Sequence, residues 1–256
     1  MFNTMRTILW LMAVCTLAAC NNRTATTDTP TASPATQAAE AVPFAGYWVN
    51  KGYYDTLLLT GSPRIAQNGC TILIIPDSTG KPLLQGWNFH EGSAEYTLYK
   101  NDETYTVYTT SDDTLINTGS AIKPLPGGML EFAGTTFVKI AGPGYDFAFP
   151  VTEEILFKGR YTDGSGNSIQ LNGNGTITGW PQFNRYMAVS DYYDRGLHVD
   201  QLSLQQPGSN QPELLGFKYA GDTLKLYSLT CLHEDEDGDC AEVDFGNLKY
   251  TLWRVR

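Results

Sequence analysis

From Phe44 to the end of the chain, apolar positions come in short runs separated by Gly, Pro, Asn and Asp. Tyr105 and Val107 alternate with Thr104 and Thr106, the period of two that marks a half-buried strand. Runs of this kind are expected at 46–48, 70–75, 83–87, 94–99, 104–109, 113–116, 129–132 and 136–140. A second series is expected at 156–161, 168–171, 176–180, 185–190, 198–203, 214–219, 223–227 and 248–253. Asn172-Gly-Asn-Gly175 between two of these runs is a strong hairpin signal, because Asn and Gly tolerate the positive φ of a tight turn. One stretch departs from the period of two. Tyr54, Leu57 and Leu58 share a face at helical spacing, and Ser62 before Pro63 reads as a helix cap with Pro in the first turn. One or two short helices are expected there, and none in the second series.

The two series open and close alike. Phe44-Ala-Gly46-Tyr-Trp48 begins one and Phe157-Lys-Gly159-Arg-Tyr161 the other. Each contains Asp-Thr-Leu (113–115, 222–224) and a Gly-Trp pair (86–87, 179–180). Each closes on an apolar run carrying one cation, Lys139 or Arg254. We read an all-β protein of two tandem β modules, residues 43–141 and 156–256, joined by a linker at 142–155. Small antiparallel barrels or curled sheets are expected, with a short helical insertion in the first. One continuous β-sandwich with Trp48 as ordinary core is the alternative.

The N-terminus carries an address. Arg6 precedes an apolar run, Ile8–Leu17, too short to span a bilayer at ~20 residues, and the run ends in Leu17-Ala-Ala-Cys20. This resembles the lipobox of bacterial lipoproteins. The resemblance implies a signal peptide at 1–19, acylation of Cys20 and a lipid anchor, with Asn21 favouring the outer membrane. Residues 20–42 are rich in Thr, Ala and Pro, bury little apolar surface and are expected to be a disordered tether.

An early Gly-x-aromatic strand with a late cationic strand is similar to the lipocalin-like (calycin) barrel. The resemblance implies that Lys139 covers Trp48 and that Arg254 covers Tyr161, each a cation–π contact of about 0.5–2 kcal/mol. The chain also resembles two-module lipoproteins of the Bacteroidetes type, which implies no activity.

Charge narrows the partners. The formal charge of -10 argues against nucleic acid, which needs a basic face. His90, His198 and His233 sit in no metal or nucleophile motif. Cys231 and Cys240 flank an acidic loop, and in an exported chain they read first as a disulfide. Asp235, Asp237 and Asp239 in that loop echo a calcium site but lack its distal Glu. Zinc on Cys231, His233 and Cys240 would lack a fourth ligand. Cys70 is left over, expected buried and inert. Trp87, Trp180, Tyr54 and Tyr193 are candidate ligand contacts or plain barrel core. No cofactor is expected. The expected function is a non-catalytic envelope lipoprotein binding a small apolar ligand or a partner protein, or else a carbohydrate-binding or surface-adhesion module.

Overall fold

Among the described residues, sixteen strands form a closed barrel of eight and a curled, barrel-like ring of eight. The computed structural model describes residues 38–67, 70–87, 93–144, 150–190, 192, 197–234, 236, 238 and 240–256. The first ring contains β1 (Gly46–Asn50), β2 (Thr71–Ile75), β3 (Pro82–Trp87), β4 (Ser93–Asn101), β5 (Thr104–Ser111), β6 (Thr114–Leu125), β7 (Met129–Phe132) and β8 (Thr135–Ala141). Each pairs antiparallel with the next, and β8 returns to β1, so the barrel is closed. The second contains β9 (Gly159–Thr162), β10 (Ser168–Leu171), β11 (Ile177–Thr178), β12 (Arg185–Ala188), β13 (Gln201–Gln205), β14 (Glu213–Ala220), β15 (Thr223–Glu234) and β16 (Cys240–Arg254). Here β16 returns to β9, and the sheet runs from β11 round to β12. Among the described residues those two edges meet only at the Thr176–Arg185 bridge. Each ring has eight strands, matching the eight runs expected in each half, and it is small because several strands are only two to four residues long.

Between β1 and β2 the chain inserts helix α1 (Lys51–Thr60) and helix α2 (Pro63–Ala66). Local chemistry sets both starts. Asn50 Oδ1 accepts from Gly52 N at 2.7 Å, and Ser62 Oγ accepts from Ile65 N at 3.2 Å, each satisfying an orphan N–H. Gly61 ends α1 at φ 63°, a left-handed position that suits glycine. The buried face of α1 is Tyr53 and Leu57, not the expected Leu58, which is 51% exposed. The second half also has a helical turn that its sequence did not announce. A π-helical turn, Glu153–Phe157, leads into β9.

Apolar side chains divide into two clusters. The first barrel is filled by Trp48, Leu73, Ile75, Leu83, Leu98, Val107, Ile122, Leu130 and Phe137, all at 3% exposure or less. The second cluster is wider. It includes the interior of the second barrel (Tyr161, Ile169, Leu204, Phe217, Leu226) together with Tyr47, Val49 and Ile72 from the other face of β1 and β2. Tyr53, Leu57, Ala66 and Cys70 belong to it as well. Strands β1 and β2 are thus buried on both faces, which is why Thr71-Ile-Leu-Ile-Ile75 is an unbroken apolar run rather than an alternating one.

Polar contacts seal the same junction. Ser62 Oγ donates to Asp200 Oδ2 at 2.6 Å and Arg64 N donates to Asp200 Oδ1 at 2.9 Å. Tyr53 Oη and Thr152 Oγ1 lie 3.1 Å apart. The insertion therefore joins the barrels rather than decorating the first one.

The repeated sequence marks are not all equivalent in place. Asp113-Thr-Leu opens β6, the sixth strand of its ring, whereas Asp222-Thr-Leu opens β15, the seventh. Their similar spacing from Phe44 and Phe157 is coincidental. The Gly-Trp pairs do correspond: Gly86-Trp87 ends the third strand of one ring, and Gly179-Trp180 follows the third strand of the other. Most of their offset is the residue 51–70 insertion, which replaces a five-residue turn at 163–167.

Candidate functional site

Both rings close on the Phe-x-Gly-x-aromatic segment. In the first, Trp48 Nε1 donates to Phe44 O at 3.0 Å. Trp48 sits opposite Lys139 on β8, whose Nζ lies 5.6 Å from the indole centroid. In the second, Tyr161 Oη donates to Phe157 O at 2.8 Å and faces Arg254 on β16, whose guanidinium is 5.3 Å from the ring centroid. Glycine leaves room for the cation. A Cβ on Gly46, at φ 141°, would stand 2.6 Å from Lys139 Cε and 2.5 Å from Ala141 O. A Cβ on Gly159 would stand 3.3 Å from Arg254 Nε.

The Arg254 closure is a network. Arg254 Nε and Nη2 donate to Tyr161 Oη at 3.1 and 2.7 Å, and Nη2 also donates to Leu156 O. Tyr219 Oη donates to Leu156 O at 3.2 Å and lies 3.0 Å from Tyr161 Oη. Burial holds the Tyr219 phenol well above its usual range, so it stays neutral and able to donate. These closures are structural, and both barrel interiors are filled by their own side chains.

Two features lie outside the cores. The first is a two-stranded ribbon. β14 pairs with β15 only as far as Tyr227, and β9 meets β16 only at Trp253 and Arg254. Between those limits, from Leu229↔Phe245 to Glu234↔Cys240, β15 and β16 pair only with each other among the described residues. The Cys231–Cys240 disulfide, with Cα atoms 5.7 Å apart, pins the tip. Phe245 anchors the base: it lies against Gly216, where an added Cβ would be 2.8 Å from its ring, and Lys218 Nζ sits 3.9 Å from its centroid. Leu232 is 58% exposed near the tip. The acids Asp235, Asp237 and Asp239 lie outside the described residues. Among the described residues no cluster of His, Cys, Asp or Glu has the makings of a metal site.

The second feature is a cleft of about 430 Å³ over β12 and β13, lined by Glu153, Asn174, Arg185, Met187 and Gln205 among others. Glu153 is 4% exposed and its Oε1 accepts from Ala188 N at 2.7 Å. On the edge away from β13, strand β12 has no paired strand at that point among the described residues, so the carboxylate occupies the place of a missing strand. Burial raises the Glu153 pKa above the usual carboxylate range.

The candidate ligand aromatics do not converge. Trp180 is core, packed edge-on against Phe183 and Tyr250 at centroid distances of 4.9 and 5.2 Å. Trp87 is 41% exposed at the end of β3, and Tyr54 is partly buried on α1. Tyr193, His90 and Cys20 lie outside the described residues. His198 is exposed, with Nε2 4.0 Å from Glu242. Cys70 is a buried free thiol whose pKa burial pushes up. Sequence reasoning missed Glu153 and Asp200; each is an ordinary acid in a short segment, and only long-range packing makes it unusual.

No family model, curated protein or solved structure matches the chain.

Proposed function

We propose that this is a non-catalytic, lipid-anchored envelope protein whose second barrel presents the β15–β16 ribbon to a partner protein. The observation that carries the reading is the ribbon itself. Roughly seven residues a side run beyond the flanking strands, about 23 Å at 3.3 Å per residue. A ribbon needs cross-strand packing to be stable alone, and here a disulfide and the Phe245 anchor supply the restraint. Ordering such an arm in advance lowers the entropy lost on binding. Its acidic tip favours a basic patch on the partner. The filled barrel interiors support a partner protein over a small apolar ligand. The anchor rests on the Leu17-Ala-Ala-Cys20 resemblance; Cys20→Ser is expected to move the protein to the soluble fraction, and unchanged membrane retention would refute the anchor.

The docking test places a photocrosslinking residue at Leu232 or, as control, at Thr109 in the first barrel. A discrete adduct from 232 alone, competed away by excess unlabelled protein but not by a variant whose residues 230–243 are replaced by an Asn-Gly turn, supports the reading. Equal labelling from both positions, or none, refutes it.

A carbohydrate-binding role has one observation in its favour. A shallow pocket brings Trp253, 43% exposed, together with Tyr250, Lys249 and Asp163, the mixture of ring face and polar groups that suits a sugar. Glycan binding lost in Trp253→Ala, with the ribbon intact, would favour this reading over docking.

A further inference from the structure

The cleft over β12 and β13 is used neither by the closures nor by the ribbon. We propose that it binds a short unblocked peptide of two or three residues, its ammonium on Glu153 and its carboxylate on Arg185.

The argument begins with unbalanced charge. Glu153 is almost fully buried, and among the described residues the one hydrogen bond its carboxylate makes to another residue is from Ala188 N to Oε1. None of the ion pairs among the described residues includes Glu153, and none includes Arg185. A carboxylate removed from water without a cation is unfavourable, and a ligand ammonium offsets that cost. An unpaired guanidinium in the same cleft presents the planar fork that fits a carboxylate.

The spacing selects the ligand. Glu153 is held at Ala188, three residues along β12 from Arg185. At 3.3 Å per residue the backbone positions of Ala188 and Arg185 are about 10 Å apart, which sets the scale of a ligand that would reach from one to the other. A ligand with its charged ends at that separation is longer than a free amino acid. An extended peptide of two or three residues spans roughly 7–10 Å. The wall between them suits a peptide group. Asn174 turns its oxygen to Thr176 N and Oγ1, leaving its amide hydrogens to donate. Gln205 donates Nε2 to Ser209 O, leaving its oxygen to accept. Met187, 62% exposed, offers an apolar surface for a side chain. The cleft volume lies within the usual range for small-molecule sites, about 300–1,000 Å³.

The test is calorimetric titration of the full chain in detergent micelles at neutral pH. The probes are trialanine, N-acetyl-trialanine, trialanine amide and maltose. Trialanine is expected to bind saturably. Blocking its amine, or replacing Glu153→Gln, is expected to weaken binding about tenfold or more, the scale of a lost charge-assisted contact. Arg185→Gln is expected to weaken trialanine binding but leave the weaker amide binding unchanged, which separates loss of the contact from loss of the fold. Should Glu153→Gln fail to fold, the exposed Arg185→Gln variant and the blocked probes decide. Absence of saturable trialanine binding, equal affinity for N-acetyl-trialanine, or tighter binding of maltose would overturn the proposal.

Discussion

Trp48 with Lys139 and Tyr161 with Arg254 hold the same place in two rings of eight, yet they close them by different means. The indole has one polar group, and it is spent on Phe44 O. What remains for a cation is the ring face, and the compact ammonium of Lys139 takes it. The phenol has an oxygen that both donates and accepts, so a forked guanidinium is the better partner. Arg254 accordingly links Tyr161 to Leu156 O rather than only resting on the ring. The cation follows from the aromatic chosen. The rings differ again at the third and fourth strands: β3 and β4 pair fully, whereas β11 and β12 share one bridge and lean on the Glu153 carboxylate.

Substituting the matching glycines should separate the closures most. Gly46→Ala places a methyl group against Ala141 O at a φ that alanine avoids, and should cost about 2–4 kcal/mol in urea unfolding. Gly159→Ala meets side-chain atoms alone, Arg254 Nε at 3.3 Å and Tyr161 Cε2 at 3.6 Å, where a shift of a few tenths of an ångström suffices, and should cost about 1 kcal/mol or less. Equal losses would mean that the two segments do not differ as described. Removing the cations comes next. Arg254→Ala, which strips donors from a buried phenol and a carbonyl, should cost about 2–4 kcal/mol, against about 0.5–1 kcal/mol for Lys139→Ala. A larger loss for Lys139→Ala would reverse the account.

The smallest effect concerns the β11–β12 seam and depends on pH. Burial raises the pKa of Glu153, and also that of Asp200, where hydrogen bonds from Ser62 and Arg64 N act the other way. A carboxyl whose pKa is higher folded than unfolded favours proton uptake by the folded state. Its contribution to stability therefore falls as pH rises from the unfolded value, about 4, through the folded one. Glu153→Gln should flatten the stability profile on the alkaline side of that unfolded value, measured by melting temperature. A profile unchanged by the substitution would remove Glu153 from the seam.

Much of this was legible in the chain. The closing segments carry their own signature, because a glycine, an aromatic and a distant cation are each needed for one contact. The helical insertion announced itself through Ser62-Pro63, and the disulfide through two cysteines around a turn. Three things were hidden. The bounds of the shortest strands were one: of the run expected at 176–180 only Ile177–Thr178 is strand β11, and two residues have no period to fix an edge. Asp-Thr-Leu repeats because tight turns favour such residues, not because the turns correspond. Asp200 accepts from the cap residue Ser62, 138 residues earlier, and no local pattern reports a partner that distant.

The account rests on the two barrels behaving as one body joined through α1. Leu57→Ala tests this, because Leu57 is fully buried in the cluster shared with the second barrel. Hydrogen exchange read by mass spectrometry should show protection falling in both β1–β2 and β9–β16, by the same 2–5 kcal/mol expected of a buried Leu→Ala change. Loss confined to α1, β1 and β2, with β9–β16 as protected as before, would show that the barrels are independent.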